Sequence, residues 1–317
     1  ASLLFTEKHI TSDLTLPTIG ASGTTISWKS SNPSVLSNEG KVTRPKKGAA
    51  DEEVTLKGTV KMGDYAKARK FAFVVLAESE MGPTKEFALD QVELLDDYYL
   101  TAQNSDIEFL KKFDNDRLLS RFRETAGLDT KKIAPYGGWE DGWLVGHYLT
   151  AIAQAVKATG NADLKEKSKQ LIKGLAECQN KLGTGFIFGA KIETEGYVEK
   201  QFDILEGKTT GKTWVPWYNM HKMLTGLVDT YKYTGNKQAL EVAKKLGDWI
   251  YNRVSKWDAG TQGRVLGTEY GGMNDCLYEL YLCTRDSKHL EAAHKFDEPN
   301  LYKTVAKGGK NCLNGKH

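Results

Sequence analysis

The sequence predicts a multidomain chain: a small all-β sandwich followed by an all-α region of helical hairpins, part of an (α/α)6 toroid. Three observations carry this. Residues 1–77 read as β, with runs that alternate with period two separated by turn residues. Beyond a Gly-Pro linker the apolar spacing becomes helical. The helical part then repeats a helix, short turn, helix unit at irregular intervals, unlike the short, steady period of helical-repeat arrays.

The β region is read from three runs. Thr24-Thr25-Ile26-Ser27-Trp28-Lys29-Ser30 and Glu53-Val54-Thr55-Leu56-Lys57-Gly58-Thr59-Val60 alternate strictly, and Phe71-Ala72-Phe73-Val74-Val75-Leu76 closes the set. Ser, Asn, Pro and Gly separate them, which suits antiparallel turns. Glu78-Ser79-Glu80-Met81-Gly82-Pro83 falls in the expected linker, 78–87, and the helical domain is expected over 88–317.

That domain opens with the apolar-periodic segments around Leu94-Leu95 and Ile107-Glu108-Phe109-Leu110. Three hairpins follow. Their first helices are expected over 146–159, 221–234 and 274–284, and their second helices end near Cys178, Val254 and Phe296. Thr159-Gly160-Asn161, Thr234-Gly235-Asn236 and Thr284-Arg285-Asp286 mark the turns. Residues 183–213 read as a long loop rich in Gly, Thr and aromatics, the kind that often carries function.

Size and charge narrow the functional classes. A chain of 317 residues with 40% hydrophobic content can bury two cores. Forty-four Lys and Arg against 41 Asp and Glu give +3, which argues against a nucleic-acid partner or an anionic membrane drawn by bulk charge. No apolar run reaches membrane-spanning length, so no membrane insertion is expected. Ala1-Ser2-Leu3-Leu4-Phe5 shows no signal-peptide pattern. Cys178, Cys276, Cys283 and Cys312 form no C-x-x-C pair, and Cys276 and Cys283 read first as buried helical thiols; no metal site is expected in this chain. G-x-x-x-x-G-K-[ST], H-E-x-x-H and G-x-S-x-G are absent.

Each hairpin entrance brings an aromatic together with a His or a carboxylate. The first is Tyr136-Gly137-Gly138-Trp139-Glu140, leading to His147. The second is Trp214-Val215-Pro216-Trp217-Tyr218-Asn219-Met220-His221-Lys222, and the third is Gly267-Thr268-Glu269-Tyr270-Gly271-Gly272-Met273-Asn274. If the first helices line an inner ring, these groups converge on one rim. Aromatic faces with oriented Glu, Asn and His fit a carbohydrate, whose C–H faces stack and whose hydroxyls need dense hydrogen bonding. Singly, each has a plainer reading. Trp139, Trp214 and Trp217 serve equally as core aromatics, His147 and His221 as structural histidines, and Glu269 as a charge at the positive end of a helix. Their recurrence at equivalent places favours a site.

The stretches Ile26-Ser27-Trp28-Lys29-Ser30-Ser31-Asn32-Pro33 and Gly40-Lys41-Val42-Thr43-Arg44-Pro45 resemble bacterial immunoglobulin-like modules, usually spacers or adhesive domains of exported proteins. The rim segments, with Leu175-Ala176-Glu177-Cys178-Gln179 and the tail 297–317, resemble the catalytic domain of glycoside hydrolase family 127, the β-L-arabinofuranosidase-like enzymes with an α/α toroid. That resemblance covers 88–317. It implies a secreted or cell-surface enzyme that releases terminal arabinofuranose or a related sugar from plant-type glycans. It implies a zinc-held cysteine nucleophile in the full-length enzyme, in family segments C-terminal to the His317 motif. No cysteine here matches that motif, so no catalytic residue and no cofactor are assigned to this chain.

Sugar-contacting roles are implied for Trp139, Glu140, His147, Tyr218, His221, Glu269, Asn274 and His317. Three hairpins are half of a closed toroid, so a fragment is expected, inactive alone, with the C-terminal half of the ring as its partner. The alternatives are a non-catalytic carbohydrate-binding or adhesive protein, and a helical-repeat scaffold.

Overall fold

The computed structural model describes residues 8–20, 23–78, 86–137, 141–189, 197–269 and 271–312, with backbone alone at 141–143. Trp139, Glu140 and His317 lie outside the described residues. The chain divides into two compact units, Ala1–Glu86 and Phe87–His317.

The first unit is built on one four-stranded sheet. β1 (His9–Ile10), β2 (Thr25–Ser30), β3 (Glu52–Met62) and β4 (Tyr65–Val75) lie in the order β1-β4-β3-β2. β1 runs parallel to β4; the other pairs are antiparallel. Alternation sends Ile26, Trp28, Val54, Leu56, Phe73 and Val75 to one buried face. Gly58 is required under the indole of Trp28, because a Cβ there would lie 2.8 Å from the ring. The immunoglobulin-like character is confined to this sheet. Among the described residues the facing layer consists of connecting segments with isolated bridges, Ile19↔Thr25 and Leu36↔Val42. Leu14, Leu16, Leu36 and Val42 from those segments cover the core. They are too short and too rich in Ser, Asn and Pro to extend into a second sheet.

On the opposite, exposed face the register sets Lys29 beside Lys57 and Lys57 beside Lys70, one row across β2, β3 and β4.

The second unit is helical. α1 (Asp97–Lys111) and α2 (Asn115–Thr125) precede three hairpins: α3 (Asp141–Thr159) with α4 (Ala162–Leu182), α6 (Pro216–Thr234) with α7 (Lys237–Val254), and α9 (Met273–Thr284) with α10 (Ser287–His294). α5 (Lys200–Leu205), α8 (Ala259–Thr268) and α11 (Pro299–Ala306) complete the set. The hairpins form two layers: α3 packs on α6 and α6 on α9, while α4 packs on α7 and α7 on α10.

The hairpin turns repeat their chemistry. Gly160 and Gly235 adopt φ of +69° and +71°, ending α3 and α6, and Asn161 and Asn236 then cap the next helix through Leu164 N (3.0 Å) and Gln238 N (3.0 Å). In the third turn Arg285 takes the left-handed conformation (φ 58°) and Asp286 caps α10.

Two expectations are corrected. α3 and α6 begin about a turn earlier than the apolar periodicity indicates, at Asp141 and Pro216, so His147 and His221 sit in the second turn. Pro216 occupies the first helical position, where its missing N–H costs nothing. The segment 183–213 is not all loop, for it contains α5, whose Phe202 is fully buried.

Candidate functional site

Two glycines fix where the inner helices meet. A Cβ on Gly146 of α3 would lie 2.2 Å from the carbonyl oxygen of Lys222 in α6, and one on Gly226 would lie 2.5 Å from the oxygen of Gly146. The two backbones therefore touch. Thr150 reinforces the crossing by donating its hydroxyl to Asp229 (2.8 Å). This contact brings the residue after Gly146, His147, into electrostatic range of His221.

Beside His221 lies a pocket of about 480 Å3 at the start of α6 and the α8–α9 connection, within the range for small-ligand sites. Val215, Trp217, Met273 and Phe296 form its apolar walls. Tyr218, His221, Thr268 and Glu269 supply its polar groups. The geometry behind each is specific. The N-cap residue of α6, Val215, makes no side-chain cap. Glu269 supplies one from outside: its Oε2 accepts from the Tyr218 backbone N–H at 2.8 Å, with the carboxylate, 8% exposed, at the positive end of the helix.

Gly272 (φ +79°) is the N-cap of α9. A Cβ there would strike the His221 imidazole at 2.1 Å. The Gly271-Gly272 pair thus lets the start of α9 close against the ring.

Burial lowers the His221 pKa to about 4, assisted by the positive charges of Lys222 and His147. His147 is lowered by the same causes, partial burial and then Lys222. The His221 imidazole is thus neutral at pH 7, able to donate from one nitrogen and accept at the other. The sign of the linkage follows. The folded pKa lies below the unfolded one, so the unfolded chain takes up the proton first as pH falls. We expect the stability of the helical unit to fall as pH drops from about 6.5 toward about 4, and His221→Asn to flatten that slope. Thermal melts across the window check it; an unchanged slope in the variant refutes the assignment.

The pocket thus unites Tyr218, His221 and Glu269 from two hairpin entrances; His147 does not line it and is linked to it through its electrostatic effect on His221. Lys222, which closes the second entrance segment but is given no sugar-contacting role by the sequence, sits over the Tyr218 ring (4.9 Å). Asn274 does not line the pocket. Its Nδ2 donates to Asp297 Oδ1 (3.1 Å) and Tyr302 Oη (2.8 Å), tying α9 to α11. The same Asp297 accepts from Tyr278 (2.6 Å). Trp217 is 1% exposed and shows only part of its face to the pocket, while Trp214 is on the surface. The packing of Trp217 on Trp257 and Phe296, with ring centroids at 5.5 and 5.1 Å, makes Trp217 chiefly a core residue.

Among the described residues no cysteine belongs to a cluster of metal donors. Burial raises the Cys178 thiol to about 11 and also raises Cys276 and Cys283, so these remain thiols at neutral pH. Among the described residues one trio of potential metal donors comes together, Asp248, Asp286 and His289. It has no cysteine, and the Lys288 ammonium stands 3.6 Å from Asp248 Oδ1. Its members already serve packing and capping: Asp286 caps α10, and His289 Nδ1 pairs with Thr284 (2.8 Å). The described residues do not fit a zinc–thiolate group.

A family model described as β-L-arabinofuranosidase, GH127 catalytic domain, matches residues 91–317, and one described as an atrophied bacterial Ig domain matches residues 5–78. Among solved structures the chain is similar to a GH127 β-L-arabinofuranosidase from Geobacillus stearothermophilus T6, at 17% identity and a TM-score of 0.43, over 70% of this chain and 33% of that one. It is also similar to a second GH127 β-arabinofuranosidase, at 15% identity and a TM-score of 0.45, over 66% and 33%. The chain spans about a third of the length of these structures. No curated protein matches it.

Proposed function

The chain belongs to the GH127 β-L-arabinofuranosidase family through residues 91–317, and from that premise we propose that its helical unit binds a terminal arabinofuranose, or a related sugar of a plant-type glycan, in the Glu269–His221 pocket. The observation that carries this is the convergence of a carboxylate, a neutral imidazole and a tyrosine on one apolar-walled cavity. Glu269 accepts from ring hydroxyls, His221 donates or accepts, and the aromatic walls take the C–H face. The proposal assigns these 317 residues to sugar contact within a larger exported hydrolase. The nucleophile and the zinc that activates it are assigned to segments without counterparts here, because burial keeps Cys178, Cys276 and Cys283 as thiols.

Calorimetry with arabinose-terminated oligosaccharides tests the pocket. We expect Glu269→Gln, which keeps an acceptor for Tyr218 N–H but removes the charge, and His221→Asn to weaken binding by about tenfold each. The isolated chain should not turn over an aryl β-L-arabinofuranoside. Binding untouched by both variants refutes the site. Turnover abolished by a chelator refutes the division of labour.

A further inference from the structure

The exposed face of the first unit carries a charge arrangement that its stability does not explain. Lys29, Lys57 and Lys70 stand directly opposite one another on three adjacent strands. Strand spacing sets neighbouring ammoniums about 5 Å apart at their roots. Like charges placed opposite each other in a sheet repel and cost stability. Among the described residues none of the three has an ion-pair or hydrogen-bond partner to offset this, and all are exposed. The rows beside them are low: Ser27, Thr59 and Ala68 on one side, Thr55 and Ala72 on the other. The lysines therefore rise as a ridge from a flat floor, with a fourth, Lys61, on the same face.

We propose that this face binds a linear polyanion, specifically a polysaccharide bearing one carboxylate per sugar. A rigid chain laid across the strands can pair successive carboxylates with successive ammoniums, and the small side chains on either side leave room for its rings. The row is also too local to follow from bulk charge, since the whole chain carries only +3. The choice of an acidic glycan over other polyanions rests on the carbohydrate reading of the helical unit.

The test uses the full chain with polygalacturonate at low salt. We expect Lys29→Ser/Lys57→Ser/Lys70→Ser to weaken binding at least about tenfold, and the triple arginine variant at these positions to bind as the parent does. Lys165→Ser/Lys169→Ser/Lys173→Ser, which removes the same charge from exposed positions of α4, should leave affinity within about twofold of the parent. A fully methyl-esterified polymer should not bind. Because the serine variant relieves repulsion, its melting midpoint should not fall. Unchanged affinity in the serine variant, equal loss in the α4 control, or binding of the esterified polymer overturns the proposal. Tighter binding to duplex DNA or to phosphatidylserine vesicles, lost in the same variant, overturns the choice of glycan. Arabinose binding, read on the same proteins, separates the two hypotheses: its absence alongside intact polygalacturonate binding refutes only the pocket.

Discussion

Arg253→Ala is expected to destabilise the helical unit by about 3–5 kcal/mol, lowering its thermal midpoint by about 10 °C or more. Arg253, on α7, holds three carboxylates that come in with α5: Asp203 and Glu206 through charge-assisted hydrogen bonds, and Glu199 at 3.2 Å. The side chain of Glu206 is fully buried. Without the guanidinium it keeps Lys208 (2.5 Å), a flexible point charge that is half exposed. The guanidinium also lies over Phe202 and Trp249 at 5.4 and 5.6 Å, so truncation removes packing as well as charge. Lysine should rescue part of the loss, since it keeps the charge but not the fork. The network has a pH signature too. Burial alone would raise the Asp203 carboxyl, but the Tyr197 hydroxyl (2.5 Å) and the charges of Arg253 and Lys208 outweigh it and hold the group low. Its stabilisation is present above about pH 4 and fades as pH falls through the depressed value. Chemical denaturation of parent and variants measures all of this; a loss under about 1 kcal/mol would show that the network is no stronger than a surface pair.

Gly146→Ala is the second large effect, at about 3 kcal/mol. The added methyl meets the Lys222 carbonyl carbon at 2.3 Å as well as its oxygen, and backbone cannot rotate away as a side chain can. α3 must then lift from α6. That separates His147 from His221 and strains the Thr150–Asp229 bond. Gly267→Ala is the control, for nothing lies within 4 Å of its Cβ position and its backbone is not left-handed. It should be neutral or gain up to about 1 kcal/mol by stiffening the unfolded chain. If the two variants melt alike, the close helix crossing is wrong.

What the sequence reveals and what it hides divide along one physical line. Local signals read well. The Thr-Gly-Asn turns fix both ends of adjoining helices within three residues, and α7 closes at Val254, where its periodicity ends. Features supported from far away read poorly. α8 contains Gly260, Gly263 and Gly267, a poor helix by propensity, and is held by Gln262 bonding to Lys295 O (2.8 Å) and Arg264 to Glu206 O (2.7 Å). α5 has six residues and depends on Arg253, 50 positions from Asp203.

The site follows the same rule. Tyr218, His221 and Glu269 stand out as polar groups at hairpin entrances. Phe296, a wall of the pocket, lies in an unremarkable run after α10. Asn274 looked free to meet a ligand because its partners, Asp297 and Tyr302, are 23 and 28 residues away.

Glu269 carries a further consequence. One carboxylate both anchors the first turn of α6 and faces the pocket, so mutational drift at this position is pleiotropic. A substitution that retunes ligand preference also loosens the helix that presents Tyr218 and His221, and new specificities should arise more readily at Thr268, whose hydroxyl bonds within its own helix. In a saturation library, folding yield and affinity should therefore covary at Glu269 and decouple at Thr268.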